Sequence, residues 1–516
     1  MNRPSKSHMR FFCTWPLLLS LFPYQSVSGE EFGWQIAFKD EVTYQSPQEA
    51  CESELIYVMQ TRPDLRGLQG PATIRWAGDY RYYCEAIYGG NYPTGGFSFS
   101  WANRIGSACK ENFKYNSTTG TCEPQLTPPP RKQAGPPNTC PSNFVGNPVN
   151  FSVGNKYQHE IDYRAIAGNG IIFSRSYNSV NGRWLNKYSS SLTIRQDEIG
   201  VNLSDGRQLL FTLVGDIATP EPGERGVLIK SGEQRAATSP YWQYTSPTNE
   251  VLTFNYLGKL IRISEIGTPT QNISYSNPRT FVTDDLGNKI EFIADMRGQP
   301  QSLITPNLKI TYSYNKIGQL ETVKEARASG QARVRLYHYE DPRNPTLLTG
   351  ITDERGVRYA TWAYDDQGRA ISSEHADGAD KVTVAYNSDG TVSVTNELGR
   401  VAKYSFQTIL GVKRITTIDG VPSPNCPNSN STFTYDDRGL LKTKTDNKGN
   451  LTTYDYNERG LETSRTEASG TPQARTITTD WHADWFLPVT ITEPDRITQY
   501  TYDAQGRQTS QSVTQR

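Results

Sequence analysis

The sequence predicts an all-β fold: a long array of β-hairpins in one sheet, preceded by a small α+β module stapled by disulfides. Three observations lead to this prediction. The 516 residues include 30 Tyr and 42 Gly beside only 4 Met, a composition that suits half-buried strands and tight turns better than Leu-rich helices. A Tyr-Asx-x-x-Gly motif recurs in the second half of the chain. Five of the 7 cysteines lie between residues 51 and 140.

The first 29 residues have the pattern of a secretory signal peptide. Arg3, Lys6 and Arg10 precede the apolar run FFCTWPLLLSLF, and the small residues of VSGEE predict cleavage after Gly29. The apolar run is short for a membrane span, so an uncleaved anchor is the weaker alternative. We therefore expect an exported protein, located in the periplasm, at the cell surface or outside the cell.

The charge of the chain excludes one class of partner. Lys+Arg and Asp+Glu both total 53. The predicted signal peptide holds three basic and no acidic residues, which leaves 50 basic against 53 acidic residues in the exported chain. Because no basic stripe occurs, we expect no nucleic-acid partner. No later stretch is apolar enough to predict a membrane span.

Residues 30–127 form the predicted α+β module. The stretch SPQEACESELIYVMQ predicts a helix, with Ser46 as its N-cap and Pro47 in its first turn. The stretch RYYCEAIYGG alternates in the manner of a strand. A helix-to-strand disulfide between Cys51 and Cys84 is therefore the preferred pairing, because an oxidising compartment allows it.

The cysteines outside the signal peptide allow several pairings. The disulfide candidates are Cys51, Cys84, Cys109, Cys122, Cys140 and Cys426. Cys109 and Cys122 would close a small loop, whereas Cys140 and Cys426 either bridge the linker to the repeats or leave one thiol free. No Cys-x-x-Cys occurs and the 5 His are scattered, so we predict no metal site and no cofactor.

The aromatic residues of the module have two interpretations. Trp76, Tyr92 and Trp101 can stack on sugar rings, which would make residues 30–127 a carbohydrate-binding module. Alternatively they fill a small core, and we favour this interpretation because aromatic side chains dominate such cores.

Three further regions follow the module. Residues 128–143, PPPRKQAGPPNTCPSN, predict a semi-rigid, extended linker. Residues 144–245 predict a β-rich region, because Gly and Asn punctuate short apolar runs such as GIIFSRSY. Residues 246–516 contain the repeats, whose spacing of about twenty residues indicates a supersecondary unit that cannot bury its own face alone.

Each Tyr-Asx-x-x-Gly motif predicts the end of a strand followed by a turn. Asp or Asn can bond its own backbone two residues on, and Gly tolerates the positive φ that closes a hairpin. The predicted repeat turn residues are Tyr314, Gly318, Tyr364, Gly368, Tyr386, Gly390, Tyr435, Gly439, Tyr456, Gly460, Tyr502 and Gly506. A second set of Gly turns predicts the opposite edge of the sheet, at 284–287, 353–356, 375–378, 396–399 and 446–449.

The residue two positions before each motif Tyr shares its face of the strand. These residues are Tyr312, Trp362, Val384, Phe433, Tyr454 and Tyr500. They predict one aromatic-lined face, whereas the other face carries Thr, Ser and charged residues. Because an aromatic face must be covered and open sheet edges pair readily, we expect a protein partner on this face.

These Tyr-Asp repeats resemble those of RHS, or YD-repeat, proteins. The stretch GNPVNFSVGNKYQHEIDY, with FSRSYNS after it, resembles the segment that often precedes the repeats in bacterial members, so the resemblance covers about residues 143–516. It implies a β-sheet that spirals into a hollow shell, often around a toxic C-terminal segment released by self-cleavage. Teneurins carry a related shell on cell surfaces.

The chain departs from that pattern, because no Asp-Pro-x-Gly-type core motif marks a self-cleavage site. We therefore expect a short bacterial member without the C-terminal core and toxin. Its hairpins are too few for a closed shell, which leaves two alternatives: a curved, partial shell with a partner, or a shortened relative whose function has changed.

The motifs that mark common catalytic sites are absent from the sequence. No metalloprotease His-Glu pair, Gly-x-Ser-x-Gly elbow or phosphate loop occurs, and no catalytic residue is predicted. The expected function is a secreted, non-enzymatic scaffold for binding or encapsulation at the cell envelope, with a glycan, an envelope component or a protein as partner. One alternative is the N-terminal part of a split toxin-delivery cage whose toxin segment is encoded elsewhere. The other is a cell-wall-active hydrolase with an unrecognised site.

Overall fold

The computed structural model describes most of the chain. The described residues are 30–36, 47–61, 68–78, 81–88, 96–109, 113–116, 121–124, 131–137, 141–165, 170–195, 197–232, 238–295, 298–327, 331–420 and 430–516. The chain divides into two compact units, residues 1–128 and 129–516. The predicted signal peptide, residues 1–29, lies outside the described residues.

The described part of the first unit contains one helix and two antiparallel sheets. Its helix is α1 (Pro47–Thr61), and its strands are β1 (Glu30–Ile36), β2 (Leu68–Gly78), β3 (Arg81–Tyr88), β4 (Gly96–Cys109), β5 (Phe113–Asn116) and β6 (Thr121–Pro124). The longer strands pair in the order β1-β4-β3-β2, and β5 pairs with β6. The predicted α+β module is thus a four-stranded sheet with one helix packed against it.

A disulfide staples α1 to β3. It joins Cys51 to Cys84, the pairing preferred from the sequence, and both residues are buried. Cys109 ends β4 and Cys122 lies in β6, but their side chains are outside the described part of the structure, as are residues Cys140 and Cys426. The pairings predicted for these four cysteines stay predictions.

The described part of the second unit begins with residues 131–137, which the sequence assigned to an extended linker. They are instead packed against the strands that follow, because polar groups of those strands hold them. Arg131 donates two hydrogen bonds of 2.9 Å to the Glu221 carboxylate, and the backbone N–H of Gly135 donates to Asn178 at 2.8 Å. The linker prediction therefore needs correction for this stretch.

Two small antiparallel sheets follow. Their strands are β7 (Phe144–Val145), β8 (Val149–Asn150), β9 (Asn155–Arg164), β10 (Ile172–Asn178), β11 (Arg183–Asn186), β12 (Ser191–Ile194), β13 (Glu198–Asn202), β14 (Gln208–Val214) and β15 (Ile217–Pro220). The strand orders are β11-β10-β9-β8-β7 and β12-β13-β14-β15. Residues 144–211 of this region are called the lining segment below.

The rest of the unit is one antiparallel sheet of 26 strands in sequence order. Its first half consists of β16 (Val227–Lys230), β17 (Trp242–Thr245), β18 (Val251–Phe254), β19 (Leu260–Ser264), β20 (Gln271–Ser276), β21 (Arg279–Asp284), β22 (Lys289–Ala294), β23 (Pro300–Thr305), β24 (Leu308–Tyr314), β25 (Leu320–Arg327), β26 (Arg333–His338), β27 (Gly350–Thr352) and β28 (Arg358–Tyr364). Its second half consists of β29 (Ala370–His375), β30 (Val382–Tyr386), β31 (Val392–Thr395), β32 (Val401–Ile409), β33 (Val412–Gly420), β34 (Ser431–Tyr435), β35 (Leu441–Thr445), β36 (Leu451–Tyr456), β37 (Glu462–Glu467), β38 (Arg475–Trp481), β39 (Pro488–Thr492), β40 (Arg496–Tyr502) and β41 (Gln508–Gln515). The all-β prediction is confirmed.

The sheet winds back onto itself. The buried Asn249, in the turn after β17, accepts a hydrogen bond from the backbone N–H of Phe486, in the turn after β38, at 2.8 Å. Gly506, in the turn after β40, lies so close to Ile266, in the turn after β19, that an added Cβ would come within 2.8 Å of its side chain. The hairpin turns at one end of the last strands therefore stack on the hairpin turns at the other end of the first strands. Among the described strands, these contacts between hairpin turns, and not strand pairing, hold successive windings of the sheet together.

The lining segment covers much of the aromatic face of the sheet. Ring centroids lie 5.2 Å apart for Phe173 and Phe292, 5.1 Å for Trp184 and Tyr337, and 4.5 Å for Phe151 and Tyr404. The sequence predicted that a partner protein would cover this face. Over these strands the prediction is wrong, because the chain supplies its own aromatic cover.

Candidate functional site

Each Tyr-Asx-x-x-Gly motif folds into a hairpin turn with a bulge. At Asp436 the carboxylate accepts the backbone N–H of Arg438 at 3.1 Å and that of Leu440 at 2.8 Å. Gly439 has a φ of 76°, in the left-handed region that side chains disfavour. The strand register shifts by one residue just before this turn, which is the bulged type of three-residue hairpin.

The motif turns lie on one edge of the sheet and the second set of turns on the other. All six motif glycines have a positive φ: 82° at Gly318, 74° at Gly368, 82° at Gly390, 76° at Gly439, 71° at Gly460 and 76° at Gly506. Their turns all follow even-numbered strands, which defines the motif edge. The second set follows odd-numbered strands, on what we call the opposite edge: Gly287, Gly356, Gly378, Gly399 and Gly449.

Every motif tyrosine uses its hydroxyl group in the same way. Each hydroxyl donates a hydrogen bond to a backbone carbonyl at or beside the preceding strand: Tyr314 to Pro300 at 2.6 Å, Tyr364 to Leu348 at 2.6 Å, Tyr386 to Ala370 at 2.9 Å, Tyr435 to Ile415 at 2.7 Å, Tyr456 to Leu441 at 2.8 Å and Tyr502 to Pro488 at 2.7 Å. The alternation along the strands predicted only an apolar role for these tyrosines. The role of the hydroxyl group does leave a signal in the sequence, because Phe, which is buried as readily, never takes this position.

Removal of one buried hydroxyl should therefore weaken the sheet. We expect Tyr364→Phe to lower the free energy of unfolding by about 1–2 kcal/mol, because the Leu348 carbonyl loses its donor in a buried site. Tyr502→Phe is the matched control. Tyr502 is only half-buried, so water can replace its hydroxyl group as the donor to the Pro488 carbonyl. Urea unfolding of the full chain measures both variants, and equal losses would contradict the expectation.

A buried ion pair within the lining segment is hydrogen-bonded to two tyrosines of the sheet. Arg175 is 1% exposed and donates to the Asp162 carboxylate at 2.5 Å and 2.9 Å. The same carboxylate accepts the Tyr312 hydroxyl at 2.7 Å, and Arg175 also donates to the Tyr337 hydroxyl at 2.9 Å. Burial alone would lower the pKa of Arg175, but the nearby carboxylate raises it well above its ordinary value. Tyr312, predicted on the aromatic face, is thus occupied within the chain.

The other face of the sheet, which points away from the aromatic face, changes character along the array. Over β21–β25 it carries charged residues: Arg279 forms a 2.7 Å ion pair with Glu291, and Lys289, Lys309 and Lys324 share this face. Over β34–β41 most of the paired residues of this face are Thr or Ser. We call the paired residues of this face over β34–β41 the hydroxyl face.

One row of the hydroxyl face crosses five neighbouring strands. Thr434 pairs with Thr443, which pairs in turn with Thr453, Thr466 and Thr476 along the row. The hydroxyl oxygens of Thr434 and Thr443 lie 2.6 Å apart, and those of Thr466 and Thr476 lie 2.9 Å apart. Neighbouring strands stand about 4.8 Å apart, so the row repeats a hydroxyl and a methyl group at regular intervals.

A second row continues toward the last strand. It runs through Asp455, Ser464, Thr478, Thr492, Ile497 and Thr514. Among the paired residues of the hydroxyl face, only Asp455 and Asp480 are charged. The sequence predicted Thr, Ser and charged residues on this side of the strands, but it did not show that the Thr and Ser strands and the charged strands are separate. Register, which decides the face of each side chain, was needed for that.

The aromatic residues considered for sugar stacking lie mostly outside the described part of the structure. Trp101, in β4, is half-buried, and the Arg81 guanidinium carbon lies 5.7 Å from the centroid of its ring. The side chain of Trp76 and residue Tyr92 are not among those described. The carbohydrate-binding interpretation of residues 30–127 therefore stays a prediction.

Two features are absent from the described residues: a metal-binding cluster and a membrane-spanning helix. No group of three or more His, Cys, Asp or Glu side chains there is arranged to hold a metal ion. Among the helices of the described part, none combines the length and the apolar character needed to cross a membrane.

Two protein families match parts of the chain. Residues 146–211 match a family described as Domain of unknown function (DUF6531), and these residues fall within the lining segment. Residues 435–472 match the family described as RHS Repeat, and this stretch includes two of the motif turns. No curated protein matches the chain.

Solved structures that match the chain include structures that contain TccC3. The crystal structure of TcdB2-TccC3-Cdc42 is 12% identical, with a TM-score of 0.30, and the match covers 68% of this chain and 20% of that one. The structure of the Photorhabdus luminescens Tc holotoxin pore with a mutated TccC3 is 11% identical, with a TM-score of 0.26, and the match covers 90% of this chain and 26% of that one. The matched region is thus about a fifth to a quarter of those chains.

Proposed function

Since the chain is an RHS (YD-repeat) protein, we propose that it is an exported, non-catalytic scaffold whose hydroxyl face binds a neutral glycan at the cell envelope. The row of five threonines carries this proposal. Each threonine offers a hydroxyl group that donates and accepts hydrogen bonds and a methyl group beside it. Neutral sugars present hydroxyl and C–H groups in the same close alternation, so an extended glycan complements such a row.

The composition of the hydroxyl face argues against other macromolecules. Nucleic acid needs a cluster of Lys and Arg, whereas the charged residues paired on this face are Asp455 and Asp480. Protein interfaces are anchored by Trp, Tyr and Arg, and none of these is paired on this face. A neutral, hydroxyl-rich ligand is the class that remains.

Placing charge in the centre of the row tests the proposal. We expect Thr453→Lys/Thr466→Lys to weaken binding to insoluble cellulose or chitin about tenfold, a loss of about 1.4 kcal/mol, because a neutral glycan cannot compensate a lysine that it desolvates. Co-sedimentation of the purified chain with each polymer measures the dissociation constant.

The matched control places the same two charges on strands that already carry lysines. Thr311 and Thr322 lie on the outward face of β24 and β25, beside Lys309 and Lys324. Thr311→Lys/Thr322→Lys should leave binding unchanged. Equal effects of the two double variants, or no sedimentation of the parent protein with any neutral glycan, would remove the proposal.

A second candidate function is encapsulation together with another chain. Strand β41 is exposed along all eight residues, Gln508–Gln515, and within the described sheet its neighbour is β40. Such an edge can accept a further strand. Beyond the lining segment, Tyr454 and Tyr500 remain half-buried on the aromatic face, where a partner would cover them.

The native mass of the protein recovered from its own host separates the two candidates. A single species with the mass of the processed chain supports the stand-alone scaffold. A larger assembly that contains a second polypeptide supports the cage alternative, and identification of that polypeptide would show what the scaffold holds.

A further inference from the structure

A cavity of about 440 Å³ opens on the opposite edge of the sheet, where the lining segment meets β30–β32. This volume lies in the range of small-molecule sites. Its floor is apolar: Val382, Val394, Ala402 and Tyr404 are all less than 10% exposed. Neither the hydroxyl face nor the motif turns contribute to it.

The mouth of the cavity is charged. Asp380 and Glu397 contribute two carboxylates and Arg400 one guanidinium, so these three groups together carry one net negative charge. The Asp380 carboxylate is 75% exposed, and its distance to His375 Nε2 is 4.0 Å, beyond hydrogen-bond range. The neighbouring Lys381 does not cancel this charge, because it forms a 2.8 Å ion pair with Glu374.

The walls of the cavity are held in place by hydrogen bonds between the lining segment and the sheet. The backbone N–H of Asn147 donates to the Ser373 hydroxyl at 3.0 Å, and Trp362 Nε1 donates to the Asn147 carbonyl at 3.0 Å. A cavity with fixed walls is pre-organised for a ligand, which lowers the entropy cost of binding.

The turn that carries Asp380 is conformationally restrained. Asp377 and Asp380 have φ values of 59° and 52°, in the left-handed region that residues other than glycine rarely adopt. Such conformations persist only where the surrounding structure holds them, and they concentrate at ligand sites. The turn therefore keeps the carboxylate at the rim of the cavity.

We propose that this cavity is a binding site for a small amphiphilic cation. The apolar body of the ligand lies on the floor formed by Val382, Val394 and Ala402, and its ammonium group faces Asp380 at the mouth. A neutral apolar molecule would form no ion pair with the Asp380 carboxylate at the rim, and an anion would be repelled by the net negative charge.

A pair of fluorescent probes tests the sign of the preferred charge. Dansylcadaverine and dansylglycine carry the same aromatic body but end in an ammonium and a carboxylate group, respectively. We expect fluorescence titration of the full chain to show tighter binding of dansylcadaverine. Asp380→Asn should weaken it by about twofold to fivefold, since the carboxylate is largely exposed, whereas Asp366→Asn, on the motif edge, should not.

A filled cavity provides the second test. Ala402→Trp should abolish dansylcadaverine binding, because the indole ring occupies the floor. Ala385→Trp is the matched control, as Ala385 is exposed on the other face of β30, and a thermal melt of each variant establishes that it is folded. Equal affinity for the two probes, or unchanged binding by a folded Ala402→Trp variant, would overturn the proposal. If Ala402→Trp does not fold, the Asp380→Asn titration decides the matter.

Discussion

Arg175→Met is expected to lower the free energy of unfolding of the 129–516 unit by about 3–5 kcal/mol. The substitution leaves the Asp162 carboxylate buried at the junction of the lining segment and the sheet, without the two hydrogen bonds from the guanidinium. The Tyr312 hydroxyl alone cannot compensate a buried charge. Urea unfolding followed by tryptophan fluorescence measures the loss. Trp184 reports on this site because the guanidinium carbon of Arg175 lies 4.7 Å from the centroid of the Trp184 ring.

Two controls separate loss of the ion pair from loss of packing. Arg175→Met/Asp162→Leu removes both charges and should recover much of the stability, since replacing a complete buried pair with apolar groups is often neutral. Arg195→Met breaks an exposed pair with Glu198 and should cost less than about 1 kcal/mol. If Arg175→Met costs no more than Arg195→Met, the ion pair does not hold the lining segment in place.

Trp362→Ala is expected to cost about 3–5 kcal/mol, in the range for a large aromatic side chain removed from a core. Trp362 is 2% exposed. Its indole N–H donates to the Asn147 carbonyl of the lining segment, and the Lys156 ammonium lies 4.2 Å from the centroid of its ring. The variant therefore leaves a cavity and removes a hydrogen bond between the segment and the sheet.

The same substitution at Trp481 is the matched control for Trp362. Trp481 is a half-buried residue near the end of the array, and its indole N–H donates to the Glu462 carbonyl within the sheet. Trp481→Ala should cost about 1–2 kcal/mol, because less apolar surface is lost. Equal costs in the two variants would show that the lining segment adds nothing to the stability of the strands it covers.

The local parts of the fold could be predicted from the sequence because their signals are local. The recurring Asx and Gly of the motifs predicted turns, and Asp436 and Gly439 have the geometry that those residue types favour. Because side chains alternate along a strand, the sequence also predicted which residues share a face. Trp362 and Phe433, which were predicted on the aromatic face, are both buried. The Cys51–Cys84 disulfide followed from a helix pattern and a strand pattern.

The cover of the aromatic face could not be predicted in this way. The sequence indicated that the face needed a cover, but nothing local to Arg175 or Trp184 shows that they meet Tyr312 and Tyr337, which lie more than a hundred residues later. The same limit applies to the cavity near Asp380, whose floor and rim come from separate strands and turns. Residues 131–137 looked like a linker because proline composition says nothing about the Glu221 carboxylate that holds them.

By itself, the sequence determined the all-β class, the hairpin turns at both edges and the alternation that separates the two faces, because turn chemistry and strand periodicity act over a few residues. Only the tertiary structure decided which strands the lining segment covers, that Asn249 and Phe486 bring successive turns of the sheet together, and which threonines align in one row. Those features depend on strand register and on contacts between distant residues. Register and closure are set by the packing of the whole sheet, and no short stretch of the chain encodes them.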